Sequence, residues 1–117
     1  MKHTEIDYSY KSIIDKTHTN DIFQKCNFTE SEFLKAHFVS CRFIGCEFIG
    51  ATFQATILYD CTFKNCDFEE LHVGADSSIA KCKFTGCEFE GARNYGCEVD
   101  GNEFTDCDFS DGCNVFE

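Results

Sequence analysis

Cys41-Arg42-Phe43-Ile44-Gly45-Cys46-Glu47-Phe48 sets a small residue two positions before a phenylalanine, then repeats that arrangement five residues later. The step of five runs outward in both directions. Every fifth residue from Phe23 is apolar: Phe23, Phe28, Phe33, Phe38, Phe43, Phe48, Phe53, Leu58, Phe63, Phe68 and Val73. The phase slips by one residue and resumes as Ile79, Phe84, Phe89, Asn94, Val99, Phe104, Phe109 and Asn114. Thirteen of the 14 Phe fall in this class; Phe116 does not. A second class, two residues earlier, is mostly small and holds nine of the ten Cys, Cys113 being the exception.

Neither a helix nor a simple strand has a period of five. A chain that turns a corner every five residues does, with one large and one small residue pointing inward on each side. Four fives make a lap of 20 residues, so residues 20 apart stack at the parallel-strand spacing of about 4.8 Å. The sequence supports this closure. A first face stacks Phe23, Phe43, Phe63, Phe84 and Phe104; a second stacks Phe28, Phe48, Phe68, Phe89 and Phe109, with Cys26, Cys46, Cys66, Cys87 and Cys107 beside them. The third face (Phe33, Phe53, Val73, Asn94, Asn114) and the fourth (Phe38, Leu58, Ile79, Val99) are more mixed. The extra residue near Gly74 to Ser78 reads as a bulge at the corner between faces three and four. Asn94 and Asn114 stack, and buried amides must pair, so an Asn ladder is expected there. The 19 slots from Asp21 onward make just under five coils, a rod roughly 23 Å long.

The pattern resembles the pentapeptide-repeat family, carried by Cys26-Asn27-Phe28, Cys41-Arg42-Phe43, Cys46-Glu47-Phe48 and Cys61-Thr62-Phe63. The resemblance implies an all-β fold, a right-handed quadrilateral parallel β-helix. It divides the chain into an N-terminal cap segment, 1–20, and the β-helix, 21–117. The cap segment contains Ile6, Tyr8, Tyr10, Ile13 and Ile14 and is expected to cover the first coil as a short helix or strand. The Phe- and Cys-rich form of the repeat is similar to the quinolone-resistance, Qnr-type branch. That similarity implies a B-DNA-like acidic rod that binds DNA gyrase or topoisomerase IV, although this chain has no long loop between coils.

The net charge of −11 argues against direct nucleic-acid binding, which needs a basic face, and suits a partner with a basic surface. No apolar run approaches a membrane span of about 18 residues. The start, Met1-Lys2-His3-Thr4-Glu5, lacks the apolar stretch of a signal peptide, so a cytoplasmic location, where thiols stay reduced, is expected. Face two presents Glu30, Glu47, Asp67, Glu69, Glu70, Glu88, Glu90, Asp108 and Asp111 without Lys or Arg, whereas face one presents Lys25, Arg42, Lys64 and Lys83, with Glu103 and Asp106 only in the last coil. Nine charges along the rod give one per about 2.6 Å, against one per about 1.7 Å in duplex DNA. Asp or Glu beside the large residue is partly repeat consensus, but stacked like charges are destabilising. The candidate binding residues are therefore Glu47, Asp67, Glu69, Glu70, Glu88, Glu90 and Asp108.

The cysteines read as small hydrophobes in a narrow slot; a soft ion held between stacked thiolates is the alternative. Cys113, off the ladder, is expected near the surface as the most reactive thiol. His3, His18, His37 and His72 do not cluster in this frame and are expected to face solvent. No metal set, cofactor or catalytic constellation stands out, and no enzyme activity is expected. The C-terminal end, with Phe104, Phe109 and Phe116, is expected to be bare and to pair end to end in a two-fold homodimer. Two functions remain: an acidic, DNA-mimicking binder of a DNA-handling enzyme such as a type II topoisomerase, or a structural adaptor using faces three and four around Tyr59, Arg93 and Tyr95.

Overall fold

The computed structural model describes residues 1–109 and 113–116. About every five residues the backbone enters the left-handed region once, at the second residue after the large inward side chain, or the third after Val73, where Asp76 takes the corner. Among the described residues, fifteen of these corner residues are not glycine, from Glu5 (φ 54°) to Asp106 (φ 53°), and six are glycine. Each non-glycine corner costs about 1–2 kcal/mol; Asn and Asp, which tolerate this region best, occupy Asp15, Asn20, Asp60, Asn65, Asp76 and Asp106. Between corners the chain extends for two or three residues, too short to be a strand alone. It is held by pairing with the laps above and below.

The result is a four-sided solenoid of parallel strands, five complete coils and the beginning of a sixth. Face one stacks Lys2–Thr4, Ile22–Gln24, Arg42–Ile44, Thr62–Lys64, Lys83–Thr85 and Glu103–Thr105. Face three stacks five strands from Ser12–Ile14 to Arg93–Asn94, and face four five from Thr17–Thr19 to Glu98–Asp100. Face two pairs through single bridges, Asp7, Asn27, Glu47, Asp67, Glu88 and Asp108 in succession. It then turns tightly: the N–H groups of Ser31, Ala51, Leu71 and Ala92 donate to the carbonyls of Phe28, Phe48, Phe68 and Phe89 at 3.0–3.1 Å. Parallel neighbours need a long return path, and here the other three sides of the lap supply it.

The core is the interior of the rod. In face one successive rings from Phe23 to Phe84 lie 4.8 Å apart and within 6° of parallel, and Phe104 continues the column at 5.1 Å. Face two repeats this at 4.9 Å from Phe28 to Phe89, with Phe109 at 5.1 Å. Rings of adjacent faces meet edge to face, as Phe43 and Phe48 do at 5.6 Å and 67°. Both geometries suit the aromatic quadrupole. Full burial adds about 1.5–3 kcal/mol per ring.

The first twenty residues are part of this solenoid. His3, Ile13 and His18 pair in register with Phe23, Phe33 and Phe38, and Asp7 bridges Asn27. The boundary at residue 20 is thus one of side-chain chemistry, not of backbone. Residues 1–20 cover the next coil by stacking His3 on Phe23 (4.4 Å), Tyr8 on Phe28 (4.9 Å) and His18 on Phe38 (5.3 Å). Their small slots hold Ile6, Lys11 and Lys16, all exposed at the open end.

At the other end Phe116 folds back over the lumen, 4.5 Å from Phe104 and 5.3 Å from Phe84 and Phe89, beside a fully buried Val115. That end is therefore partly covered rather than bare: off-register, Phe116 has no neighbouring slot to fill and drops onto the last rings. The inserted residue lies where the phase slip puts it. Val73 pairs with Phe53, twenty residues away, but Ser78 pairs with Ile57, twenty-one away. The buried Ser77 hydroxyl fills the gap, accepting the Thr56 N–H at 3.1 Å and donating to Phe53 O at 3.4 Å.

The Asn pair differs from the expected amide ladder. The Asn94 side chain donates to Cys97 O and Val115 O and accepts from the N–H groups of Gly96 and Cys97. Asn114 Oδ1 accepts the Asn94 backbone N–H at 2.9 Å. An amide carries both donors and acceptors, so at a coil end, where backbone groups lack a neighbouring lap, pairing with the backbone is the better use of it.

Candidate functional site

The face-two bridges fix the acidic surface. They align Glu47, Asp67, Glu88 and Asp108 in one column, about 4.8 Å apart at the backbone. Glu69 and Glu90 follow the large residue on successive laps, and Glu70 occupies the left-handed corner (φ 57°). Glu47, Glu70, Glu88, Glu90 and Asp108 are exposed, while Asp67 and Glu69 are half-buried. All seven thus lie on one side of the rod; Asp111 falls outside the described residues. From Asn27 to Asp108 the outward positions of this face contain no Lys or Arg.

Crowding is strongest at the centre. Carboxylate oxygens of Asp67, Glu69 and Glu88 lie within 4.8 Å of one another. The Asp67 charge above all, then burial and the charges of Glu90 and Glu88, raises the Glu69 carboxyl above its ordinary value. Part of the surface has a backbone cause. Asp7, Asn27 and Asp67 each accept, through Oδ1, the N–H two residues on at 2.9–3.0 Å, which closes an Asx turn at the corner. That accounts for Asp67. It gives no reason for carboxylates at Glu69 or Glu70.

On the adjacent face Lys25, Arg42, Lys64 and Lys83 are exposed, and Lys83 reaches Glu103 at 4.0 Å. The rod therefore has an acidic side next to a basic one.

The ladder cysteines are packing residues. Cys46, Cys61 and Cys66 are buried, and their thiols donate to Phe23 O, Phe38 O and Phe43 O at 3.2–3.4 Å. Burial first, with Cys46 and Cys87 adding to it, pushes the Cys66 thiol well up. Burial likewise holds Cys97 at about 11. Hydrogen bonds from the stacked thiols act the other way at Cys46, Cys82 and Cys87 and lower them, so burial alone does not set every thiol of the ladder. Cys113 is half-buried.

The histidines are not all at the surface. His37 and His72 are exposed, but His3 and His18 point inward and converge on Asp21, 3.3 Å from His3 Nε2 and 2.8 Å from His18 Nδ1. Burial alone would raise the Asp21 carboxyl. Hydrogen bonds from His18, the chain's terminal ammonium and His3 outweigh it and lower it to about 2. A repeat frame that starts at Phe23 leaves His3 and His18 outside it. Counting back in fives puts His3 and His18 in the large slots and Asp21 in a small one.

Residues 36–112 match the family described as the pentapeptide repeat region. The chain is a member of the pentapeptide-repeat family. Among solved structures this pentapeptide-repeat protein is similar to a pentapeptide repeat protein from the thylakoid lumen of Arabidopsis thaliana, at 22% identity over 86% of this chain and 66% of that one (TM-score 0.47). It is also similar to full-length QnrB1, a plasmid-mediated fluoroquinolone resistance protein, at 19% identity over 94% of this chain and 61% of that one (TM-score 0.49). A third is Rfr23 from the cyanobacterium Cyanothece 51142, at 12% identity over 88% and 90% of the two chains (TM-score 0.38). The pentapeptide-repeat chain spans less than two thirds of the length of the first two. No curated protein matches it significantly.

Proposed function

We propose that this pentapeptide-repeat protein is a non-enzymatic, cytoplasmic binding solenoid whose face two docks on the basic, DNA-binding surface of a DNA-handling enzyme, a type II topoisomerase such as DNA gyrase or topoisomerase IV. The observation that carries this reading is the column of Glu47, Asp67, Glu88 and Asp108, flanked by Glu69, Glu70 and Glu90 with no base among them. Stacked like charges oppose folding, and the corner turns do not require most of them. A rigid row of carboxylates can occupy phosphate-binding positions without the mobility of free side chains. The resemblance of the repeat to the Qnr-type branch names the enzyme class.

The test is a gyrase supercoiling assay with and without quinolone, alongside direct binding at several salt concentrations. Binding should weaken as salt rises. Changing Glu69, Glu70, Glu88 and Glu90 together to Gln should weaken it at least tenfold. Unchanged binding by that variant overturns the acidic-face reading.

A second reading rests on Tyr59 and Tyr95, exposed by 46% and 62% on faces four and three. Such aromatics, with the exposed Arg93, suit an adaptor that contacts another protein and leaves gyrase unaffected at any concentration. In either case the C-terminal end supplies a route to a homodimer. Phe109 is 41% exposed there and, with Phe104 and Phe116, lines a depression of about 330 Å³. Sedimentation should show a dimer at micromolar concentration; a monomer removes the end-to-end pairing and leaves the acidic face standing.

A further inference from the structure

The first coil puts imidazoles where the later coils put benzyl rings. His3 stacks on Phe23 at 12° and His18 on Phe38 at 8°, and the two imidazoles meet edge to face at 5.7 Å. These stacks fix both ring planes. Asp21 lies between them, the one carboxylate among the described residues that occupies an inward slot. The His3, His18 and Asp21 side chains are only 14%, 26% and 14% exposed. A ring nitrogen from each histidine and an Asp21 oxygen all lie within 4.8 Å of one another. Asp21 Oδ1 also accepts the terminal ammonium at 3.1 Å.

Donors about 2.0–2.1 Å from a tetrahedral ion lie roughly 3.3 Å apart. The observed His–Asp separations of 3.3 and 2.8 Å are close to that edge, so small side-chain shifts would admit an ion. Two imidazole nitrogens and one carboxylate oxygen suit a borderline divalent ion and are ill-suited to Ca²⁺ or Mg²⁺, which prefer all-oxygen sets. On the solvent side, His18 borders a depression of about 330 Å³ at this end of the rod.

We propose that His3, His18 and Asp21 form a binding site for a divalent transition-metal ion of the Zn²⁺ class, closing the N-terminal end of the solenoid and leaving a coordination position open to solvent. The ion would replace ring protons now shared with Asp21 and tie coil one to coil two, since His3 and His18 come from the first lap and Asp21 opens the second. This site is independent of the acidic face.

The full chain, kept reduced, is titrated with Zn²⁺ alone while the four imidazoles are followed by nitrogen–proton NMR; a parallel titration with Co²⁺ is read by visible absorption. One ion per chain is expected. It should perturb the rings of His3 and His18, leave His37 and His72 unmoved, and give a Co²⁺ spectrum without a sulfur charge-transfer band. Asp21→Asn should weaken binding at least tenfold. Because loss of a ligand can also loosen the end coil, His3→Phe combined with His18→Phe provides a second variant. It restores the Phe column, should keep or raise the melting temperature, and should abolish binding. Perturbation of no histidine, a thiolate spectrum, or undiminished binding by the double Phe variant would each overturn the site.

Discussion

Ala55 shows at a single residue what the solenoid demands of its backbone. Its φ is 49°, in the left-handed region that costs an L-residue about 1–2 kcal/mol. Glycine would remove that cost while adding about 0.5–1 kcal/mol of unfolded-state entropy loss. Ala55→Gly should therefore raise the unfolding free energy by about 0.5–1 kcal/mol in urea denaturation. Ala51→Gly, four residues away in a buried slot, should lower it by about 1 kcal/mol; equal effects at the two sites would show that corner strain is not the cause. Gly96 lies at φ 125°, beyond the reach of ordinary side chains. None of this was visible in the period-five pattern, because the corner class is chemically mixed: Glu30, Lys35, Ala55 and Gly50 all occupy it. The pattern of a sequence reports what is buried, and the corners face water.

At the scale of the coil, the inward slots were legible and the ends were not. The Phe columns, the Cys column and the phase slip could be read because an interior slot tolerates few side chains, and stacking repeats that restriction every lap. The first coil keeps the backbone and drops the restriction, since among the described residues it pairs with a lap on one side alone. Its large slots hold His3, Tyr8, Ile13 and His18, so it reads as a separate segment although it pairs as a lap. Capping coils of repeat proteins commonly present such polar outer surfaces. Deleting residues 1–20 should expose the rings of Phe23, Phe28, Phe33 and Phe38. The expected result is strong binding of a hydrophobic dye and self-association in light scattering. A dye-silent, monomeric deletion would mean that the coil covers nothing of consequence.

Across the whole molecule, the charge pattern is legible once the lap length is known, because residues 20 or 21 apart in sequence become neighbours in space. That is how Glu47, Asp67, Glu88 and Asp108 come into one column. The Asx turns were hidden, and they separate Asp67, which the corner uses, from Glu69 and Glu70, whose carboxylates it does not. The histidine cluster was hidden for another reason: a three-residue meeting point built from positions 3, 18 and 21 has meaning only if the first lap exists.

The single inserted residue between Val73 and Ser78 shows how such a rod accommodates change. Both flanking columns pass it undisturbed, Val73 over Phe53 and Ile79 over Leu58, and the surplus is confined to one corner. A segment of any length whose two ends lie close together can leave the rod at that corner and return there, with the rings inside unaware of it. Length added at the corners would thus alter what the molecule touches, while its cross-section stays the same.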